Sequence, residues 1–452
     1  MADLVLPASG LQSAQRGWAM LTICLGVVLA GLDGAIANIA LPTIANDLHI
    51  TPAASVWVVN AYQLAVAVCL LPLASWGESV GYKPIYWTGL AVFTLASLGC
   101  ALSRSLPVLV LSRVVQGLSG GCMASVSAAL IRFIYPPAQF GRGMGLLALA
   151  VALSAALGPT IGAAVLSVAN WPWLFAINVP IGVVAVLVGA RVLPSTPRQS
   201  RTFDAAGSIL SALTVGLLII GLDDLGHGAS PSALTEIGAG VAAGTGLILH
   251  QLPRGTPLVP IDLFRIPLFA LSALTSICSY AAQMLAFVSL PFFFQHGLGR
   301  TQVQTGLLMT PWPVAVAIVA PIAGRLTDRY PAGILGSAGL AVMATGLGLM
   351  VALPAHPADA DIAWRMCICG CGFGFFQTPN NRAMMTSGPK ERSGAASGML
   401  ATARLTGQST GAALVAAMFG LFPSAATTAS LTAGAAFAAT AGLFSCLRLG
   451  RS

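Results

Sequence analysis

The sequence predicts an all-α membrane protein, and three observations carry that prediction. Hydrophobic residues make up 56% of the 452-residue chain and charged residues only 8%, with a mean hydropathy of +0.86. A soluble domain carries about 25% charge. Apolar runs of roughly 18–24 residues, the length that crosses the hydrocarbon core as a helix, recur fourteen times. The 50 glycines, with many alanines, suit helices whose backbones approach closely in lipid.

The fourteen runs lie near 18–39, 56–74, 84–103, 106–131, 143–168, 172–192, 205–222, 232–251, 268–294, 304–323, 332–353, 362–379, 395–421 and 428–447. The seventh is short and the eighth holds Glu236 near one end. Basic residues in the loops set the orientation. With a cytoplasmic N-terminus and alternating spans, sixteen Lys and Arg fall on the inside and three, Arg104, Arg300 and Arg365, on the outside. Removing only one of spans seven and eight would invert every later loop, so the pair stays together and both termini are cytoplasmic. The first apolar run is longer than the 7–15 residues of a signal core and contains an acid, so no cleavable signal peptide is expected.

Several function classes are excluded at this point. The net charge of +8 is spread over loops rather than clustered with aromatics, so nucleic acid is not an expected partner. Nine cysteines are scattered apart from Cys367, Cys369 and Cys371, which alternate around a helix as small apolar filler rather than metal ligands. The five histidines have no metal-ligand spacing. No metal or cofactor is expected, and no phosphate-binding loop is present, so any transport must be driven electrochemically. No second buried acid, His pair or nucleophile–base set argues for an enzyme.

Asp33 is the exception in this apolar chain. It sits within the uncharged run Trp18–Ile39, where a carboxylate costs about 2.5–3.5 kcal/mol on insertion scales. Burial disfavours the charged form of a carboxylate, which makes the residue a candidate for reversible protonation; a structural polar contact between helices is the alternative. Ser154, Gly158 and Gly162 recur every four residues on one flat helix face, and Pro159 removes a helix hydrogen bond and permits a bend. A loop pattern repeats: Ala74-Ser75-Trp76-Gly77-Glu78-Ser79-Val80-Gly81-Tyr82-Lys83 after span two, and Gly324-Arg325-Leu326-Thr327-Asp328-Arg329-Tyr330-Pro331 after span ten. Each copy joins an acid, a turn residue and a cation. The copies are eight spans apart, as two six-helix halves separated by two inserted helices would place them.

Leu32-Asp33-Gly34-Ala35-Ile36-Ala37-Asn38-Ile39-Ala40-Leu41-Pro42, the paired loops, Ser112-Arg113-Val114-Val115-Gln116-Gly117 and Gly158-Pro159-Thr160-Ile161-Gly162 occur in order along the chain. Asn170-Trp171-Pro172-Trp173 with Asn178-Val179-Pro180, Asn380-Asn381-Arg382, and Gly394 to Gly398 leading to Arg404 follow. Together they resemble the major facilitator superfamily, specifically its fourteen-helix drug–proton antiporter branch. Two motifs depart from the family pattern: Ala74, Glu78 and Ser79 alter the first loop copy, and Ser154 and Ala163 alter the span-five motif.

The resemblance implies a major facilitator fold with an N-terminal six-helix bundle over 1–192, two linker helices over 193–252 and a C-terminal bundle over 253–452. It makes spans one and four neighbours, which pairs Arg113 with Asp33 for proton coupling, or leaves Arg113 a purely structural cation. Asn38, Trp57, Tyr62, Gln63, Gln116, Gln283 and Arg404 are the candidates for a substrate cavity; each also reads as interhelical glue or a lipid-facing aromatic. Glu78, Gly81, Lys83, Gly158, Pro159, Gly162, Gly324, Asp328 and Arg329 are the candidates for gating. The implied activity is export of lipophilic or cationic compounds in exchange for protons, by a monomer in a bacterial inner membrane. One acid exchanging one proton for one monovalent cation would move no net charge. Two readings compete: a symporter importing an organic acid, with Arg113 and Arg404 serving the anion, and a non-transporting sensor or assembly factor.

Overall fold

The computed structural model describes residues 11–136, 139–198, 204–226, 231–253, 261–388 and 393–449, and among the described residues there is no strand. Every apolar run carries one long helix: α1 (Ser13–Asp47), α2 (Trp57–Val80), α3 (Tyr82–Leu102), α4 (Leu106–Ile134), α5 (Phe140–Val168), α6 (Asn178–Val192), α7 (Ala205–Gly226), α8 (Pro231–Gln251), α9 (Pro267–Phe292), α10 (Pro311–Leu326), α11 (Ala332–Val351), α12 (Asp359–Thr386), α13 (Ser393–Leu421) and α14 (Ala426–Leu447). Helix is the form a lone segment must take in lipid, because only it satisfies every backbone group internally. Short helices at Pro172–Ala176 and Gln302–Met309 lead into α6 and α10.

Among the described residues, eleven helical segments are long and apolar enough to cross a bilayer. The two pieces of α5, Phe140–Ser154 and Leu157–Val168, bend by 44° and make a twelfth if taken as one span. The helices α12 and α13 are as long but less apolar. The chain is an all-helical, multi-pass membrane protein. Of the basic residues assigned to the face that bears the termini, Arg201, Arg254, Lys390, Arg392 and Arg451 lie outside the described residues.

Packing repeats with a shift of eight helices. In the first set α2 and α3 pack on α4 and α1 on α5; in the second α10 and α11 pack on α12 and α9 on α13. Between them α7 and α8 form an antiparallel pair, with Gly221 against Ala233 and Ile237, and Gly240 against Leu218. The helix α7 also lies along α2 and α13, so it touches both sets. At the α2–α3 turn Gly81 has φ +96°, a conformation that L side chains rarely adopt.

One apolar core lies mostly in the first set, around Ile23, Tyr86, Phe93 and Ile131, and another in the second, around Trp312, Met343, Phe373 and Phe376. A third joins the sets at the end away from the termini, through Ile39 and Ile44 of α1, Phe292 of α9 and Val415 of α13.

Candidate functional site

Asp33 is enclosed within the first six helices, at 2% exposure, with Arg113 at 0%. The guanidinium donates from Nη1 to Asp33 Oδ2. The other carboxylate oxygen, Oδ1, accepts from Gln116 Nε2 and from Asn178 Nδ2, each at 2.9 Å. Arg113 also donates to the Val58 carbonyl and to Gln116 Oε1, both at 2.7 Å. Its guanidinium carbon lies 4.3 Å from the Tyr62 ring centre and 5.5 Å from that of Phe175, a cation–π arrangement. Arg113 Nη2 is buried without a hydrogen bond.

Helix spacing explains the cluster. Arg113 and Gln116 are three residues apart on α4 and share a face, which turns toward α1. Ser97 of α3 accepts from Gln116 at 2.9 Å and orients it. Asp33 already accepts three hydrogen bonds, one of them from its guanidinium counter-charge, so a cationic ligand would have to compete with Arg113 for it. A proton, by contrast, would release one charged hydrogen bond from Arg113, worth about 1.5–3 kcal/mol.

The other residues predicted for the site are more dispersed. Gln116 belongs to the acid cluster, bonded to both Asp33 and Arg113. Tyr62 is buried beneath Arg113 and donates to the Ala30 carbonyl at 3.2 Å. Asn38 bonds the Gly34 carbonyl at 3.4 Å, and its Oδ1 has no partner. Gln63 reaches Met284 Sδ across the two sets at 3.9 Å. Trp57, Gln283 and Arg404 are partly exposed. Arg404 makes no hydrogen bond or ion pair with any described residue; Gly407, one turn further along α13, lies against Tyr280 of α9. Gln377 donates to Tyr280 Oη at 2.7 Å.

Among pairs of described residues, the hydrogen bonds joining the first six helices to the last six lie toward the end away from the termini. Gln295 donates to the Ile39 carbonyl at 3.0 Å, Gln302 to Thr43 Oγ1 at 2.7 Å, and Asn46 meets His296 at 3.3 Å. Thr160 and Thr310 meet at 3.0 Å. Gly158 and Gly162 of α5 face Ala35, Ile36 and Ile39 of α1, and the Pro159 carbonyl faces Gly306. The predicted flat face of α5 packs on α1, and the adjoining face, at Pro159 and Ala163, packs on Gly306 of the second set.

At the opposite end, Asp328 pairs with Arg382 at 2.5 Å, within the last six helices. Gly324 faces Thr378, and Arg329 is exposed. Lys83 donates to the Ala190 carbonyl at 3.2 Å, and Tyr82 N to Thr196 Oγ1 at 2.7 Å. Glu78 is partly exposed near the end of α2.

Sequence reasoning missed Asn178 and Ser97 as parts of the acid cluster. Asn178 entered only through the Asn178-Val179-Pro180 motif, with no role assigned, and small polar residues in apolar spans usually serve packing.

Residues 23–412 match the family model described as Major Facilitator Superfamily. The chain is 54% identical over 447 residues to the uncharacterized transporter YebQ of Escherichia coli K12, covering 98% of this chain and 97% of that one. It is 29% identical over 410 residues to the riboflavin transporter RibZ of Clostridioides difficile, covering 90% and 88%. A Salmonella heidelberg protein carrying the multidrug-resistance name MdtD is 34% identical over 317 residues, covering 69% and 67%. Among solved structures, a bacterial homologue of the lysosomal transporter Spinster aligns with a TM-score of 0.70 at 15% identity, covering 96% and 97%.

Proposed function

The chain belongs to the major facilitator superfamily, and on that premise we propose that it is a proton-coupled exporter of lipophilic small molecules working by alternating access. The observation that carries this reading is Asp33, sealed at membrane depth and bonded by Arg113, Gln116 and Asn178. Protonation would loosen its hold on Arg113, and a guanidinium with a spare Nη2 then has reason to move. That gives a two-state element that a proton biases. The name MdtD on a relative supports drug-like cargo.

In this reading 1–192 and 253–452 are the two moving bundles and 193–252 the linker helices. The monomer sits in the inner membrane with both termini in the cytoplasm, and the bonded end faces outward. Asp328 and its neighbours serve as a latch between the bundles in the opposite state. A second reading, uptake by symport, is favoured by the unpaired Arg404 and by the relative named as a riboflavin transporter.

The test is a drug-susceptibility panel in cells expressing the wild type or Asp33→Asn, followed by reconstituted vesicles under an imposed pH gradient. Asp33→Asn is expected to abolish proton-driven efflux while leaving substrate binding measurable. Undiminished proton-driven efflux in Asp33→Asn would sink the reading.

A further inference from the structure

We propose that the transported substrate is a small organic anion and that Arg404 of α13 is the residue that recognises its charge, assisted by Tyr280 and Gln377. This names the substrate class for the transporter proposed above and rests on its being a transporter, not on the direction of transport.

The ionised groups at mid-depth between and within the two helix sets do not balance. Asp33 and Arg113 neutralise each other and are sealed inside the first set. Arg404 remains. It is partly exposed, and it makes no hydrogen bond or ion pair with any described residue. An unpaired charge at this depth is costly and, where it persists, marks a pathway or a ligand.

Its position says which surface it serves. Gly407, three residues on along the same face of α13, lies against the Ile277 carbonyl and Tyr280 of α9, so that face is turned toward α9 and not toward lipid. Leu405, the next residue, packs in the apolar core with Tyr62. Along α13, Arg404 is on the order of 16 Å from one helix end and 25 Å from the other, at 1.5 Å rise per residue. A phospholipid headgroup sits too far away to be its standing partner.

Two neutral groups complete an anion cradle. Tyr280 Oη accepts from Gln377 Nε2 at 2.7 Å. Its own proton is given to no described acceptor and is free to donate. Arg404 thus supplies a fork suited to a carboxylate or similar oxyanion, and Tyr280 a further donor. A cation entering the same space would meet a bare guanidinium, while the one deep acid already accepts three hydrogen bonds. If one proton enters for each monovalent anion that leaves, two positive charges move inward per cycle, in place of the electroneutral exchange expected for a cation.

The test uses three probes with one ring system: 2-naphthoate, 2-naphthamide and 2-naphthyltrimethylammonium. Binding to the purified full-length protein in zwitterionic nanodiscs is measured by equilibrium dialysis. Naphthoate is expected to bind tightest and the ammonium weakest. Arg404→Gln should weaken naphthoate at least tenfold and leave naphthamide unchanged, which also shows that the variant is folded; Arg404→Lys should stay within about threefold of the wild type. Unchanged naphthoate binding in Arg404→Gln, preference for the ammonium, or no binding of any probe overturns the proposal. Displacement of naphthoate by phosphatidylglycerol overturns the assignment to a soluble substrate. Asp33→Asn is run alongside. Should it keep naphthoate selectivity and also keep proton-driven flux, the export mechanism fails while the anion assignment stands.

Discussion

Replacing Arg113 by Gln should destabilise the protein in a pH-dependent way, whereas replacing Asp33 by Asn should destabilise it equally from pH 5 to 8. Both side chains are buried, and removing one member of a buried pair costs about 3–5 kcal/mol because the survivor is left uncompensated. The survivors differ. A guanidinium stays charged at any accessible pH, so in Asp33→Asn it keeps only the Val58 carbonyl, Gln116 Oε1 and the Tyr62 face. A carboxylate escapes by binding a proton, which costs about 4 kcal/mol at pH 7 and about 1.5 kcal/mol at pH 5 from an ordinary Asp. That cost caps the penalty of Arg113→Gln at either pH. The folded variant then holds a proton that the unfolded chain releases, so its stability rises as pH falls, by up to about 2.7 kcal/mol between pH 7 and pH 5. Thermal unfolding of purified protein in detergent across that range measures it. The double variant, with no stranded charge, should melt above Asp33→Asn alone. Parallel pH curves for the two single variants, or a double variant that falls by the sum of both, would refute the reasoning.

Three further outcomes are expected. Gly306→Val should open the end away from the termini, since even a Cβ there would lie 2.5 Å from Ala163 Cβ and 2.8 Å from the Pro159 carbonyl; labelling of Thr43→Cys by a membrane-impermeant maleimide should rise several-fold. Asn178→Ala removes a donor to a charged oxygen, which costs about 1.5–3 kcal/mol, and should lower the melting temperature and slow proton-driven flux without weakening naphthamide binding. Asp328→Asn breaks a pair whose side chains are 66% and 50% exposed, so stability should fall by less than about 1 kcal/mol while transport slows; a large loss of stability would reject a latch.

The helices were legible because apolarity measures the membrane, but their ends were not. The run 18–39 became a helix over Ser13–Asp47, since nothing stops a helix where the lipid does and Asn46 and Asp47 continue it into the polar zone. The run 304–323 became two pieces either side of Thr310, where Pro311 and Pro313 withdraw backbone donors. Asp33 and Arg113 stood out because charge is rare at depth. Gln116 and Tyr62 stood out as polar residues in apolar spans, and the other partners did not. The Val58 carbonyl carries no side-chain signal at all, and Ser97 looks like any small packing residue. The two least apolar helices, α12 and α13, carry Gln377 and Arg404; the polarity that weakened them as spans is what equips the space between the sets.

The sign of coupling between the proton and the substrate follows from where their charges sit. Exchange requires that each oppose the other's binding, and binding free energies are reciprocal. A cation would achieve this by direct repulsion from a protonated cluster. An anion at Arg404 would not, because neutralising Asp33 leaves Arg113 uncompensated beside Tyr62, and Tyr62 packs in the same apolar core as Leu405, the neighbour of Arg404. Direct electrostatics then favour proton and anion together. Export of an anion needs a conformational preference that outweighs this attraction: the protonated protein must favour the state in which Arg404 is least available. Under the export reading, naphthoate binding to the wild type should therefore weaken as the pH falls from 8 to 5, and Asp33→Asn should remove the dependence. If acidification instead tightens naphthoate through Asp33, proton and anion travel in the same direction, and the protein is a symporter built around the same two residues.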